Sequence, residues 1–537
     1  MKTLPRALAA ATAALALLLA GCAAGDDTTA SETAATPRPG GELTVGIPDW
    51  CGAYDKQQTS GCTFSNIQVT DNLVDQDPET GEIVPWLATD WTISDDGRRY
   101  EFTLQEGVTF SNGEPLDAEA VKLNWDSIVE LGKQGKAFQS SAYLLGYTGS
   151  EVLDEHRVAI TFEEAKAGFL QSLSEAPLGL VAPETTRLTA DERVDGVIGS
   201  GPFVIDEVVQ DQRVVLTKRE DYGWPSPVRA NQGPAYLDTL TFLIIPEASV
   251  RLGALQSGTV DAISLAPTHA TSTIRVDELP GDVELFTSAS AGIVFTLYPN
   301  YAHPILSQPE VRRAVQRAID RQEVKDVLLD EPYEPATSIV STTFPTYADL
   351  SEELSQDDDE VASVLAASGW ELGSDGIYAK DGERLTFDLQ YTSSDSTPLF
   401  ELLQQQLRAN GIDLTLQQVT EAQSTANLES GDWGLTAGNL TRPDPDVFLS
   451  AFSSEFSSRV AVDPDEELLD LLYAQAVELD PDARAADSAE IQRIIVEEGL
   501  AFPVHEMVSL IATSSDVHDV SFTAPWWAVF GDAWIEG

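Results

Sequence analysis

DNLVDQDPETGEIVPWLATDWTISDDGRRYEFTLQEGVTFSNGEPLDAEAVKLNWD (Asp71–Asp126) is the stretch on which the fold turns. It reads as a turn, an aromatic-anchored helix, a hairpin region and then a second helix. Gly97 and Gly113 fall where that region must reverse direction, and glycine supplies the positive φ that such turns require. Arg99–Leu104 alternates polar and apolar side chains, the two-residue period of a half-buried strand. Gly107 to Gly113 reads as a strand followed by a turn. Asp117 then stands where a short acceptor caps a helix, with Val121, Trp125 and Ile128 on its inward face.

Outward from this stretch, short strand-like runs alternate with amphipathic helices, the pattern of an α/β fold. Leu43–Ile47 opens the series. Pro202–Val209, Val214–Arg219 and Leu240–Ile245 read as strands, Ser249–Gln256 as a short helix closed by Gly258, and Val260–Leu265 as another strand. A further helix has Pro309 in its first turn and an apolar stripe of Val311, Ala314, Val315, Ala318 and Ile319. Another runs Pro398–Ala409, with Leu399, Leu402, Leu403 and Leu407 inward. It stops at Asn410-Gly411 and leads into the alternating strand Ile412–Leu416. The Pro- and Gly-rich patches at 223–234 and 331–346 read as crossover loops, and no repeat of solenoid period occurs.

At the N-terminus, Lys2 and Arg6 precede an apolar run, Ala7–Gly21, too short to span roughly 30 Å of hydrocarbon. This is the layout of a secretory signal peptide over residues 1–21. Its end, Leu19-Ala20-Gly21-Cys22, resembles the lipobox of bacterial lipoproteins. That resemblance implies acylation of Cys22 and anchorage on the extracytoplasmic face of the cell membrane; the alternative is an ordinary signal peptide with a chance cysteine. Residues 22–40 are poor in large apolar side chains and read as a flexible tether. The 537 residues carry 31 Lys and Arg against 88 Asp and Glu, a formal charge of −57. Such a field repels phosphate backbones and excludes nucleic acid as a partner. With 42% hydrophobic residues the chain builds sizeable cores, and its length calls for more than one lobe. Once Cys22 is assigned to lipid, Cys51 and Cys62 remain. In an exported chain they are expected to form a disulfide, against the alternative of two free thiols.

The stretch Asp71–Asp126 resembles the signature segment of family 5 extracellular solute-binding proteins, the oligopeptide, dipeptide and nickel-type receptors of ABC importers. The likeness continues through IGSGPFVI (Ile198–Ile205), ALQSGTVDAI (Ala254–Ile263), PEVRRAVQRAIDR (Pro309–Arg321) and VASVLAASGWELGSDGIYAKDGERLTFDL (Val361–Leu389). Ser200 stands between two glycines where the family usually has Thr. The resemblance implies a two-lobed periplasmic-binding-protein-like fold of type II, with an extra subdomain and a ligand cleft between lobes. Motif order places lobe I at 41–283 plus 508–537, with a subdomain inserted at about 67–194, and lobe II at 284–507. It also implies a monomer that hinges closed over a small solute, peptide or peptide-like, and presents it to an ABC permease and ATPase complex.

The same resemblance nominates ligand-binding residues. Peptide-binding members carry an Asp-Tyr-x-Asp-Pro run whose first Asp pairs with the ligand's α-amino group. Aligning Asp444-Pro445 of GDWGLTAGNLTRPDPDVFL (Gly431–Leu449) puts Thr441 at that Asp and Arg442 at the Tyr. The departure removes a carboxylate where a zwitterionic peptide wants one. Arg442 is placed instead to fork onto a carboxylate or sulfonate, to stack on an aromatic or sugar ring, or to form an inter-lobe or surface salt bridge. Trp433, Asn439 and Asp444 complete this segment's candidates. Trp50, Cys51 and Gly52 lie in the loop after the first strand, and Tyr298 and Asn300 where the chain enters the second lobe. Trp526-Trp527 reads either as a sugar-stacking platform or, more simply, as a terminal segment packed on lobe I. An oligosaccharide or organic acid is the alternative solute, and a solute-sensing lipoprotein the alternative role.

The sequence has no GxSxG elbow, HExxH, SxxK set or P-loop. Its five histidines, at 156, 269, 303, 505 and 518, are scattered. The expectation is a binding protein with no catalytic residues, metal or cofactor. The rival enzyme class is an exported glycoside hydrolase, since 88 acids supply carboxylate pairs at any spacing.

Overall fold

The strand Glu42–Ile47 lies between two parallel neighbours, Thr239–Ile244 with Leu43 opposite Leu240, and Ala262–Ser264 with Val45 opposite Ala262. Its alternate residues Leu43, Val45 and Ile47 share one face and are buried there. It is a central strand of a seven-stranded mixed sheet. The order is Val283–Ala289, Val508–Ser514, Ala262–Ser264, Glu42–Ile47, Thr239–Ile244, Arg213–Lys218 and Phe203–Val209. The computed structural model describes residues 36–48, 54–58, 63–265, 274–329 and 331–536. Val283–Ala289 stays in this sheet, so the chain leaves it after Ala289 and not at the 283/284 division drawn from motif order.

Between the first two strands of this lobe, the chain builds a second core around the antiparallel sheet Ala88–Ile93, Arg99–Leu104, Arg157–Phe162 and Tyr147–Asp154. Arg99–Leu104 buries Tyr100, Phe102 and Leu104 on one face, as its alternation requires. The helix Ala118–Lys133 covers that face with Val121, Trp125 and Ile128, and Asp117 Oδ1 accepts from Ala120 N at 2.9 Å. Two local expectations fail. No helix forms between Asp71 and Arg99: the run around Trp86 is strand and bend, and Trp86 Nε1 donates to Trp224 O at 2.8 Å, which anchors the bend. Gly107–Gly113 is mostly turn, with Thr109 making a single bridge to Pro115.

The second lobe has a five-stranded sheet, ordered Asp413–Gln418, Thr386–Tyr391, Leu435–Thr441, Gly292–Pro299 and Phe502–His505. Gly292–Pro299 is buried at every position, having apolar clusters on both faces. Helices Pro309–Ala318, Arg321–Leu328 and Thr397–Ala409 pack one face; Val447–Phe452, Glu466–Val477 and Pro481–Glu497 pack the other. In Thr397–Ala409 the buried stripe is Leu399, Phe400, Leu403 and Leu407, while Leu402 is half-buried. The acid-rich composition serves helix starts: Asp320, Asp357, Asp465 and Asp480 each accept from backbone N–H groups of a first turn.

The chain passes between the two sheets at 289–292 and again at 505–508, and Ser290 N donates to Met507 O at 2.8 Å. These adjacent crossings form the connection between lobes.

Candidate functional site

The strand Leu435–Thr441 runs antiparallel to Gly292–Pro299 and brings Thr441 opposite Gly292, at the crossing. A Cβ on Gly292 would stand 2.4 Å from Leu440 O and 2.7 Å from Arg442 N, and its φ is +146°, so only glycine permits this approach. Thr441 Oγ1 lies 2.9 Å from Ser290 Oγ, and Asn439 Nδ2 donates to Thr441 Oγ1 at 3.5 Å. Thr441 is thus fixed at the connection, and no carboxylate takes that position.

Arg442, 7% exposed, follows. Its Nη1 donates to Asp446 Oδ1 at 3.1 Å and Ser450 Oγ at 2.8 Å, and its guanidinium stacks 4.6 Å from the ring of Tyr143, in the inserted subdomain. Its Nε is buried without a hydrogen-bond partner among the described residues. Asp444 takes two bonds from Arg484, at 2.8 and 2.5 Å. Gly168 of the subdomain comes so close beneath this pair that a Cβ would stand 2.7 Å from Asp444 Oδ1. Beside it, Ala167 N donates to Ala476 O at 3.1 Å, a main-chain bond from subdomain to second lobe. The lobes therefore meet along a polar seam.

Three charged groups missed by the sequence reading complete the seam. Burial pushes Glu175 up to about 7 against the opposing pull of Gln171, Arg442 and Lys56. Burial lowers Lys56 to about 8, with Glu175 opposing. Lys166 is lowered by burial while Asp446 favours its charge. Glu506 was also missed: it lies at the second crossing, 4% exposed, and burial raises it to about 7. Its Oε1 accepts from Thr342 N at 3.0 Å and its Oε2 has no partner among the described residues. None of these positions belongs to a spacing motif, so only the fold brings them together.

The other nominated residues fall in several places. Asn300 is 1% exposed and spends its amide on Gly431 O and Trp433 O, with its oxygen accepting from Ala302 N, which makes it a loop-fixing residue. Among the described residues, Trp433 is buried with an unpartnered Nε1 and Tyr298 with an unpartnered hydroxyl. Trp526 lies in the core that spans the crossing, and Trp527 packs edge-on to Phe64 at 6.0 Å, so this pair is a packing element. Trp50, Cys51, Gly52, Cys62, His269 and Cys22 with its signal lie outside the described residues. Among the described residues no group of three or more His, Cys, Asp and Glu side chains is placed to hold a metal ion, and no helix is long and apolar enough to cross a membrane.

An open pocket lies within the first lobe and its subdomain, lined by Asp71, Trp86, Tyr222, Arg229, Trp527 and Asp532 among others. Its charges are internally satisfied: Arg229 pairs with Asp75 at 3.4 Å, and Asp532 accepts from Asn231 N and Ser521 Oγ.

The family model for bacterial extracellular solute-binding proteins, family 5, matches residues 82–459. The chain belongs to that family. Family 5 proteins are the solute-binding components of ABC importers and not enzymes. Curated relatives include the nickel-binding periplasmic protein of Escherichia coli (strain K12), 26% identical over 502 residues that cover 90% of this chain and 92% of the relative. The oligopeptide-binding protein AppA of Bacillus subtilis (strain 168) is 24% identical over 458 residues, 81% of each chain. Among solved structures, NikA from Brucella suis with Fe(III)-EDTA superposes with a TM-score of 0.80 at 24% identity, covering 92% of this chain and all of that one. AppA with a nonapeptide gives 0.75 at 19%, covering 94% and 100%. These likenesses show the two-lobed, type II family fold.

Proposed function

We propose that this family 5 protein is an extracytoplasmic lipoprotein, acylated on Cys22, that captures a small peptide or peptide-like solute between its lobes for an ABC permease and ATPase. The observation that carries this reading is the seam: Asn439 and Thr441 end the strand beside the crossing, and the next residue, Arg442, stacks on Tyr143 of the opposite wall. A solute held there contacts both lobes at once, so its binding free energy favours closure. Relatives' printed ligands, among them oligopeptides, D,D-dipeptides and glutathione, favour a peptide-like solute. Trp50, Cys51 and Gly52 are proposed to line the same cleft, and a Cys51–Cys62 disulfide to hold their loop.

A second reading, an organic acid, is favoured by Thr441: a neutral hydroxyl cannot form the ion pair with an α-amino group that a carboxylate forms. Native mass spectrometry of the purified full chain, with fragmentation of any released passenger, separates the readings. A peptide supports the first and a simple acid the second. A sugar passenger would sink both. Membrane retention of the wild type, lost in Cys22→Ala, tests the anchor.

A further inference from the structure

The helix Glu466–Val477 of the second lobe ends against the inserted subdomain, and its last turn leaves carbonyls that no residue of the helix can satisfy. Two of them are answered from different lobes. Gln475 O accepts from Arg484 Nε at 3.0 Å within the second lobe, whereas Ala476 O accepts from Ala167 N of the subdomain at 3.1 Å. Two further contacts flank that bond. Both methyls of Leu479 stand 2.8 Å from the position that a Cβ on Gly97 would occupy, and the same position is 3.0 Å from Ala165 Cβ. On the other side the Asp444–Arg484 pair rests on Gly168, with no room for a side chain between them.

The subdomain side of these contacts is mounted rigidly. Lys166 N donates to Gly97 O at 3.2 Å, and the Tyr100 hydroxyl donates to Lys166 O at 2.6 Å. The ring of Phe169 packs 5.0 Å from that of Tyr100 and 4.8 Å from that of Phe162. A surface ordered before contact loses little conformational freedom when contact is made. Gly168 has φ −82° and ψ 9°, a conformation open to any residue, and the three atoms nearest its Cβ position all belong to Asp444 or Arg484. A side chain there would therefore meet the second lobe before anything in its own.

We propose that residues 165–168 of the subdomain and residues 476–484 of the second lobe form a latch that draws the lobes together before any solute arrives. Opening about the crossings breaks its three contacts at once. Every atom of the latch belongs to the protein, so it shifts the closed fraction by one factor for all solutes. The latch does not depend on the choice between peptide and acid, and its test needs neither. The amide of Ala167 reads it directly: closed lobes bond that N–H to Ala476 O, and open lobes leave it to water. Its protection from hydrogen exchange then gives the ratio of closed to open chain. Lys166, whose N–H is bonded inside the subdomain, is the control beside it. The experiment is residue-resolved hydrogen exchange on the full chain, unfolded and refolded to release any passenger and shown free of it by native mass spectrometry. Ala167 is expected to exchange at least tenfold more slowly than its intrinsic rate. Gly168→Leu, which wedges the seam, should bring Ala167 to about that intrinsic rate and leave Lys166 protected. Leu479→Ser, at a side chain 42% exposed, should lower Ala167 protection severalfold without harm to the fold. Should Gly168→Leu also expose Lys166, Leu479→Ser decides alone. Intrinsic exchange at Ala167 in the passenger-free wild type would overturn the latch. So would Ala167 protection left unchanged by the variants. Either result leaves solute capture standing, since the identified passenger decides that separately.

Discussion

Thr441 and Arg442 are consecutive, yet the fold gives them opposite tasks. Thr441 is held against Ser290 at the crossing, while Arg442 reaches the other wall and stacks on Tyr143. Arg442 thus bears on the closed arrangement whether or not it touches solute. Arg442→Ala is expected to weaken solute affinity by about 1–3 kcal/mol, the range for losing a hydrogen bond to a charged group. In a double-mutant cycle with Tyr143→Leu, calorimetry should give a coupling of about 0.5–2 kcal/mol, that of a partly desolvated cation–π pair. Additive effects would confine Arg442 to its own loop. The sequence made Thr441 and Arg442 legible because they break a family run at fixed positions. Glu175 and Lys56 had no such frame. Their significance comes from each other and from Arg442, which stand far apart in the chain.

At the scale of elements, most helices and strands were legible because their apolar period matches the face they bury. The exceptions trace to tertiary contacts: Trp86 sits in a bend with its indole tied to Trp224 O, and Phe400 is fully buried in the core that Leu402 only half enters. The Gly199-Ser200-Gly201 motif has a similar long-range cause. Gly201 N donates to Val69 O at 2.9 Å, and a Cβ on Gly199 would stand 1.8 Å from that same oxygen. Backbone packs on backbone here, and neither side yields like a flexible side chain. Gly199→Ala should therefore cost about 3 kcal/mol or more in urea denaturation, at the upper end of overpacking penalties. Gly253 is the contrast. It is exposed in the helix Ala248–Gln256 with nothing within 4 Å of its Cβ position, so Gly253→Ala should stabilise by up to about 1 kcal/mol. Equal effects at the two sites would refute the packing account.

For the whole molecule, pH acts through acids kept from water. Burial raises Glu506 from its ordinary 4.5 to about 7 at the second crossing. Between those values the unfolded chain releases a proton that the folded chain retains. The stability contributed by this group is full below about 4.5, falls as pH rises toward 7, and is level above. Wild-type unfolding free energy should therefore drop between pH 5 and pH 8 by on the order of 1–3 kcal/mol more than that of Glu506→Gln, given 1.36 kcal/mol per pKa unit. Identical drops would show that the carboxyl titrates as it does in water. The bond from Ser290 N to Met507 O, close to that group, bears on motion as well as stability. Two straps joined midway behave as a single torsion bar: bending about their common axis is soft, while sliding one past the other is stiff. Cargo is then expected to decide how far along one arc the two halves swing, and not which arc they follow, so that a permease would be met by one trajectory whatever is being carried.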